Sequence, residues 1–278
     1  HAGFGGGTDV TTRMMLLRTR RYLKQDMQLV NKKGGGGAAS MDYMMTLPAD
    51  GQHTLTWTTG HAVSMALGKT KVKLSDMQPL ARGTDDPQLF VVNCKNDIKD
   101  AKKFISAQKS KSLKYGTTHV GGIDDVSAIA FTKKGKLTDP TIVAYKGVGP
   151  IKTNLIKGDI DVGVLNLGEA VTEIEDGTLC VSVVLASNRM EKLSNVPTAT
   201  ELGIPVVLST VRGFVTRKGV PADRKKQLED AMIKAMEHKY FQSFLTDIGL
   251  DSTSVVGADE WGKQMEVMLA EMTAQLKA

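Results

Sequence analysis

Aromatic residues make up only 5% of this 278-residue chain and do not alternate with its basic residues. That removes the stacking platforms on which single-stranded nucleic acid is held. The lysines are dispersed or fall in doublets such as Lys32-Lys33, Lys102-Lys103, Lys133-Lys134 and Lys225-Lys226, so the formal net charge of +6 forms no tract. A nucleic-acid surface would cluster them. The surplus reads as a solvated surface that also attracts anions, and no nucleic-acid partner is expected. Cysteine is scarce. Cys94 and Cys180 lack metal-ligand spacing, and no histidine lies near either in sequence, so neither a metal nor a cofactor is expected. None of the five histidines, His1, His53, His61, His119 and His238, pairs with a serine or cysteine in a known catalytic motif, and His-Glu-x-x-His does not occur. No run of 18 apolar residues is present to span a membrane. The chain opens on His1-Ala2-Gly3 without a leader, and residues before it are expected to be unrepresented.

What the chain has is glycine. Gly3-Phe4-Gly5-Gly6-Gly7-Thr8-Asp9 runs straight into the apolar, helix-prone stretch Val10–Leu17. The spacing of Val10, Met14, Leu17 and Leu23 predicts a helix over about 9–24, with Thr8 or Asp9 as its cap. Glycines let backbone approach a ligand, and the unpartnered amides and dipole of a helix start attract anions. The stretch is therefore either an anion-binding turn or simply a flexible one. No Gly-Lys-Ser/Thr follows, which excludes the usual phosphate loop, and the spacing is a poor dinucleotide fingerprint.

The same unit of strand, small or hydroxylated loop and helix then recurs. Strands are predicted at Met27–Val30, His53–Trp57, Pro87–Cys94, Leu113–Gly116, Thr141–Tyr145, ahead of Leu165-Asn166-Leu167, at Cys180–Ala186 and at Val211–Thr216. Helices fall between them, and the last three, at about 221–236, 239–248 and 258–276, close the chain. Strands alternating with helices predict an α/β fold with a parallel sheet, whose ligands sit at the carboxyl ends of the strands. A second hydroxyl-and-glycine loop, Thr117-Thr118-His119-Val120-Gly121-Gly122, precedes a helix that carries Asp124 and Asp125 in its first turn.

Taken in order, several pieces resemble one family. They are Ala2–Asp9, Asn31 with its glycine run, Asp50-Gly51, Thr59-Gly60, Leu113-Lys114-Tyr115-Gly116, Tyr145-Lys146-Gly147-Val148-Gly149-Pro150, Gly158–Val162, Asn195-Val196-Pro197-Thr198 and Gly219-Val220-Pro221-Ala222. Together they resemble the periplasmic solute-binding receptors of the tripartite tricarboxylate transporters, the Bug receptors. The resemblance covers essentially the whole chain. It implies a two-lobed, type II periplasmic-binding-protein clamshell with two hinge-crossing strands. Lobe one would be residues 1–93 plus 184–278 and lobe two residues 94–183, with Leu89–Cys94 and Cys180–Ala186 crossing the hinge. It further implies a secreted, periplasmic, monomeric receptor. Such a receptor captures a small carboxylate (a di- or tricarboxylate, an aromatic acid or an amino acid) in the inter-lobe cleft and delivers it to a two-component membrane permease. Antiparallel hinge strands would bring Cys94 and Cys180 close enough for a disulfide; two buried free thiols are the alternative. Three departures stand out. The family's first strand, expected before His1, is absent; Lys32-Lys33 replaces a more usual Arg-Pro; and two acids, Asp124 and Asp125, follow the second loop.

The ligand contacts that this resemblance implies fall on both loops. Gly6, Gly7, Thr8 and Asp9 would hold a carboxylate, with Phe4 either covering the ligand or packing in the core. Thr58, Thr59 and His61 would add donors, or Thr59 would simply cap a helix. Thr117, Thr118, His119, Val120 and Gly121 would oppose them, with Tyr145 and Asn166 reaching in from strand ends and Arg212 offering a bidentate partner to a carboxylate. Asp124 and Asp125 would either favour the helix dipole or recognise an ammonium group. An enzyme that uses the glycine loop to hold a phosphate or carboxylate is the alternative function. A sensing regulator would carry a DNA-binding helical domain at its start, and none is here.

Overall fold

The computed structural model describes residues 6–118 and 120–277. In chain order its elements begin with α1 (Gly7–Leu23), α2 (Ala38–Thr46), β1 (Leu55–Thr58), α3 (Thr59–Ala66), β2 (Met77–Pro87), β3 (Leu89–Asn93), α4 (Ala101–Ser110), β4 (Lys114–Thr117) and α5 (Ile123–Lys134). They continue with β5 (Thr141–Ala144), α6 (Val148–Lys157), β6 (Val162–Leu165), α7 (Leu167–Glu175), β7 (Leu179–Val184), β8 (Ser209–Arg217), α8 (Ala222–Glu237), α9 (Lys239–Asp247), β9 (Val256–Gly257) and α10 (Ala258–Lys277). The chain forms two compact units, one of residues 1–85 with 211–278 and one of residues 86–210. It passes from the first to the second within β2 and returns within β8. The sequence reading instead put the passages at 93/94 and 183/184. Both strands it had chosen, β3 and β7, pair with each other inside the second unit's sheet.

That sheet has the order β5-β4-β6-β3-β7. β3 lies inside it, and Leu89, Phe90, Val91 and Val92 are all fully buried, as a continuous apolar run covered on both faces should be. β4 runs parallel to β5 and to β6, with α5 and α6 as the crossovers. β3 is antiparallel to β6 and β7. The expected parallel sheet is therefore confined to β5-β4-β6. Phe90, Phe104, Tyr115 and Phe131 make an aromatic core, with the Phe90 and Phe131 rings 4.9 Å apart and edge to face, a favoured ring geometry. The buried Tyr115 hydroxyl donates to Gln108 Oε1 (3.0 Å), so the one polar atom this ring brings inside is satisfied. Cys94, just past β3, is joined by a disulfide to Cys180 on β7, with Cα atoms 5.0 Å apart.

The first unit's sheet has the order β1-β8-β2-β9, with β1 antiparallel to β8 and β9 antiparallel to β2. α1 and α8 pack over a core of Met15, Leu80, Phe214, Met232, Met236 and Phe241. On another part of this unit, Trp57 and Trp261 meet edge to face at 5.7 Å, and a side chain at Gly213 would overlap the Trp261 indole. Three elements were not foreseen, the two-residue β9 among them. β2 hides its strand character behind Pro79, Gly83 and three charged residues, and α7 follows its strand with only Asn166 between. One expected strand is missing. Met27–Val30 alternates half-buried and exposed residues, and among the described residues it makes no ladder and β1 pairs only with β8.

Candidate functional site

In the first unit the glycine loop leads into α1. The cap residue is Gly6, in extended conformation, and no side chain caps the helix. The first intrahelical bond is donated by Val10 N–H to the Gly6 carbonyl (3.0 Å). The amides of Gly7 and Thr8 therefore precede the hydrogen-bonded turn, where a helix start has donors to offer. The expected caps, Thr8 and Asp9, lie inside the first turn instead, because the helix begins two residues earlier than the sequence periodicity suggested. Gly7 is exposed. The guanidinium of the buried Arg212 lies so close that a Cβ added at Gly7 would be 2.7 Å from Nη2. A side chain at position 7 would push the guanidinium aside, so glycine here leaves Arg212 its place, and no unusual φ is involved. A cation and a helix N-terminus held together repel unless an anion joins them. Positive charge beside a helix start is an arrangement that favours an anion.

The surrounding residues hold this arrangement in place. Arg212 stands opposite Thr58 in the β1–β8 register. The Thr59 hydroxyl accepts the Val211 amide (2.9 Å), and the Thr12 and Thr56 hydroxyls are 2.8 Å apart, tying α1 to β1. Thr58 caps α3 in a box with His61: Thr58 N–H donates to His61 Nδ1 (2.9 Å). The other ring nitrogen of His61 bonds Ser40 Oγ (3.0 Å), which donates to the Gly37 carbonyl (2.7 Å). Nδ1 is therefore the acceptor and Nε2 carries the proton. His61 is fully buried, and burial lowers its pKa from 6.5 to about 3. Both ring nitrogens serve the fold, so the structure gives His61 a capping role where the sequence suggested a donor to a ligand. Asp9 is likewise drawn inward. Its carboxylate pairs with Arg13 Nε (2.8 Å) and accepts from Asn31 Nδ2 (3.1 Å), pinning the segment after α1 to the helix start. Asn31 and Ser40 were not foreseen as partners. Each acts across some 20 residues of sequence, and no local pattern signals it. A cavity of about 440 Å³ opens in this unit beside Thr8, Asp9 and Thr12 and continues along Met27–Asn31 and His53–Thr56. Phe4 lies outside the described residues.

The second unit's loop is built from the same residue types but wired differently. Thr118 N–H and its hydroxyl both donate to Asp124 Oδ2 (2.9 and 2.6 Å). Gly121, at φ +70°, donates its amide to Asp125 Oδ2 (2.6 Å). Both acids are buried in the first turn of α5, where they fold back and take the loop's amides. Thr117 ends β4 fully buried, and Val120 is 77% exposed. Tyr145 is half-buried; it donates its amide to the Thr117 carbonyl (2.8 Å) and its ring lies beside Gly116. Asn166 caps α7 in a box with Glu169, and its side-chain amide donates to the carbonyls of Asp86 and Pro87 (2.9 and 3.0 Å). It therefore fastens the end of β6 rather than offering its amide outward. His119 lies outside the described residues.

In the first unit, then, the structure brings Gly6, Gly7, Thr8, Thr58, Thr59 and Arg212 around one helix start; in the second it gathers Thr117, Thr118, Val120 and Gly121 around another. Comparison with known proteins gives this geometry a family. The profile of the tripartite tricarboxylate transporter family receptors matches residues 11–269. A protein of Agrobacterium vitis named for the TAR-I ttuE-ttuC' intergenic region is 25% identical over 241 residues, covering 85% of this chain and 69% of its own. A TctC solute-binding protein from Polaromonas superposes with a TM-score of 0.87 at 23% identity, covering 99% of this chain and 95% of its own. MatC from Rhodopseudomonas palustris, solved with bound malate, gives 0.81 at 24% identity, with 98% and 95% covered.

Proposed function

We propose, for a chain that belongs to the tripartite tricarboxylate transporter family receptors, that it acts in the periplasm as a monomeric receptor. It captures a small carboxylate and delivers it to a two-component membrane permease. The family is one of receptors, and the enzyme reading is set aside on that ground. The two units serve as the receptor's lobes. The observation that carries the carboxylate assignment is the guanidinium of Arg212 against Gly7 at the uncapped start of α1. There the amides of Gly7 and Thr8, the Thr8 hydroxyl and Arg212 surround one carboxylate; Thr58 and Thr59 position β8 beneath them. The malate bound by MatC is a carboxylate of the size such a site takes.

The test is calorimetric titration of the whole chain with a panel of mono-, di- and tricarboxylates, aromatic acids and amino acids, repeated on Arg212→Gln. Losing a charge-assisted bond to a carboxylate costs about 1.5–3 kcal/mol, or roughly 10- to 150-fold in affinity. Gly7→Val, which drives the guanidinium aside, should weaken binding as much. Full affinity in both variants would remove the glycine loop from the site. If no member of the panel binds the unaltered chain while a sugar phosphate does, the carboxylate reading fails.

A further inference from the structure

The far end of α1 gathers cations that the sequence scatters. Arg18 lies over the ring of Tyr240, its guanidinium carbon 4.6 Å from the ring centroid, and Lys239 Nζ lies 5.7 Å from the same centroid. The His238 ring meets Tyr240 edge to face at 4.9 Å. The His238 pKa is lowered by desolvation first and then by the positive charges of Arg18, Lys239 and Arg21, so Arg21 belongs to the same cluster. Among the described residues none of Arg18, Arg21, Lys24 and Lys239 enters an ion pair with an acid. Arg18 Nε is buried without a hydrogen-bond partner. The acids nearest in sequence are Asp26, which Arg20 holds at 3.0 Å, and Glu237. Apolar groups stand out among these charges. Leu17, one helical turn before Arg20 and Arg21, is 60% exposed, and Tyr240 is 46% exposed. The stripe from Leu17 to Leu23 covers roughly 9 Å of helix, with the start of α9 beside it, and so makes a surface rather than a pocket. Cations crowded in this way repel one another, and a broad anionic surface relieves them together.

We propose that this face, the second half of α1 with the start of α9, lies against an anionic membrane surface. A basic amphipathic helix with leucine and tyrosine among its arginines is what an interfacial segment carries. The cations meet lipid phosphates, and the apolar groups enter the boundary beneath them. Tyrosine suits that depth because its ring is apolar and its hydroxyl is wet. An acidic protein would have to mirror each cation in place, whereas a headgroup layer meets any spacing. The turn at Gly7 stays clear of the membrane, because roughly 24 Å of helix separates it from Leu23. The purpose of this face rests on the receptor reading above: a receptor that serves a membrane permease gains from being held at the membrane.

The experiment sediments the whole chain with vesicles of three parts phosphatidylcholine to one part phosphatidylglycerol, and with vesicles of phosphatidylcholine alone. The chain should bind the first at low salt, leave them as salt rises, and ignore the second. Each cation near an anionic surface is worth roughly fivefold in binding, so Arg21→Gln with Lys239→Gln should weaken it about 25-fold. Asp26→Asn removes an exposed acid beside the face and should strengthen binding severalfold, a gain that a damaged fold would not give. Equal binding to both vesicles, binding to neither, or unchanged binding in the double variant would overturn the proposal. So would poly-glutamate held through Arg21 and Lys239 by a chain that vesicles do not bind; the face would then fit an acidic protein. Calorimetry with the acid panel keeps the two readings apart, since both variants should bind acids as the unaltered chain does. Acid binding without vesicle binding would sink the membrane face alone. Vesicle binding without acid binding would sink the carboxylate reading and leave the face standing.

Discussion

The two units carry near copies of one local device, a threonine-and-glycine loop that turns into a helix, yet the copies differ in electrostatic sign. At Gly7 the helix start is uncapped and has a guanidinium beside it. At Gly121 the corresponding helix start carries two buried acids that absorb the loop's own amides. Loop composition gives the backbone path in both cases; the residues one turn into the helix, or on a distant strand, decide what the path can bind. Asp124 and Asp125 are close in sequence and could be weighed early. Arg212 acts on Gly7 across more than two hundred residues, and only the β1–β8 register delivers it.

The units differ in how they are held together as well, and that contrast can be broken experimentally. The second unit has a disulfide whose cysteines lie 86 residues apart. In the chain-entropy account, closing such a loop stabilises by about 4.5 kcal/mol. Replacing Cys94 and Cys180 by serine should therefore raise amide exchange in β3, β4 and β7 by orders of magnitude and leave β1 and β8 near their original protection. Equal loosening of both units would show that they do not unfold separately. A smaller contrast lies in the cores. Phe131 meets Phe90 at 4.9 Å and Phe104 at 6.0 Å, and aromatic pairs contribute about 0.5–1.5 kcal/mol each beyond their burial. Phe131→Leu should cost about 2–3 kcal/mol in chemical denaturation. In the first unit Met232→Leu, a volume-conserving change among flexible side chains, should cost less than about 1.5 kcal/mol. Similar losses in the two variants would mean that the methionine core is as shape-specific as the aromatic one.

Much of the second unit was legible in the sequence because its signals are local. Leu89–Asn93 is an unbroken apolar run, and the β4-α5-β5-α6-β6 order follows strand and helix patterns that alternate at ordinary spacing. The first unit was less legible. β2 interrupts its apolar pattern with Pro79, Arg82, Gly83, Asp85 and Asp86, and its burial comes from neighbours far along the chain. Arg82, for example, is held by the carbonyls of Thr253 and Ser254 and by Gln264. Met27–Val30 shows the opposite failure. Its alternation reads as a strand, but pattern alone supplies no pairing partner. Among the proposed site residues, Gly7 and Thr8 were visible as a loop before a helix. Their neighbour Asp9 looked equally available, and only the bonds to Arg13 and Asn31 show that it is committed to the fold.

The gentlest test concerns His61, whose two bonds knit α3 to α2 through Ser40. Burial holds its folded pKa near 3, against 6.5 in the open chain. Above pH 6.5 both states are neutral and the full stability is present. Between 6.5 and about 3 the unfolded chain binds a proton that the native chain refuses, so stability falls as the pH drops, by about 1.4 kcal/mol per pH unit from this group. His61→Asn retains an acceptor for the Thr58 amide and removes the titration. The variant should be the less stable protein at pH 7.5, through loss of the Ser40 bond, and the gap should narrow or reverse by pH 4.5. Carboxylates that titrate in the same range act on both proteins and cancel in the difference. If the gap stayed constant from pH 7.5 to 4.5 in denaturant titrations, His61 would not be held neutral in the fold. If it closed while exchange rose in α2 and α3 but not in the second unit, the acid-sensitive joint would lie in the first unit alone.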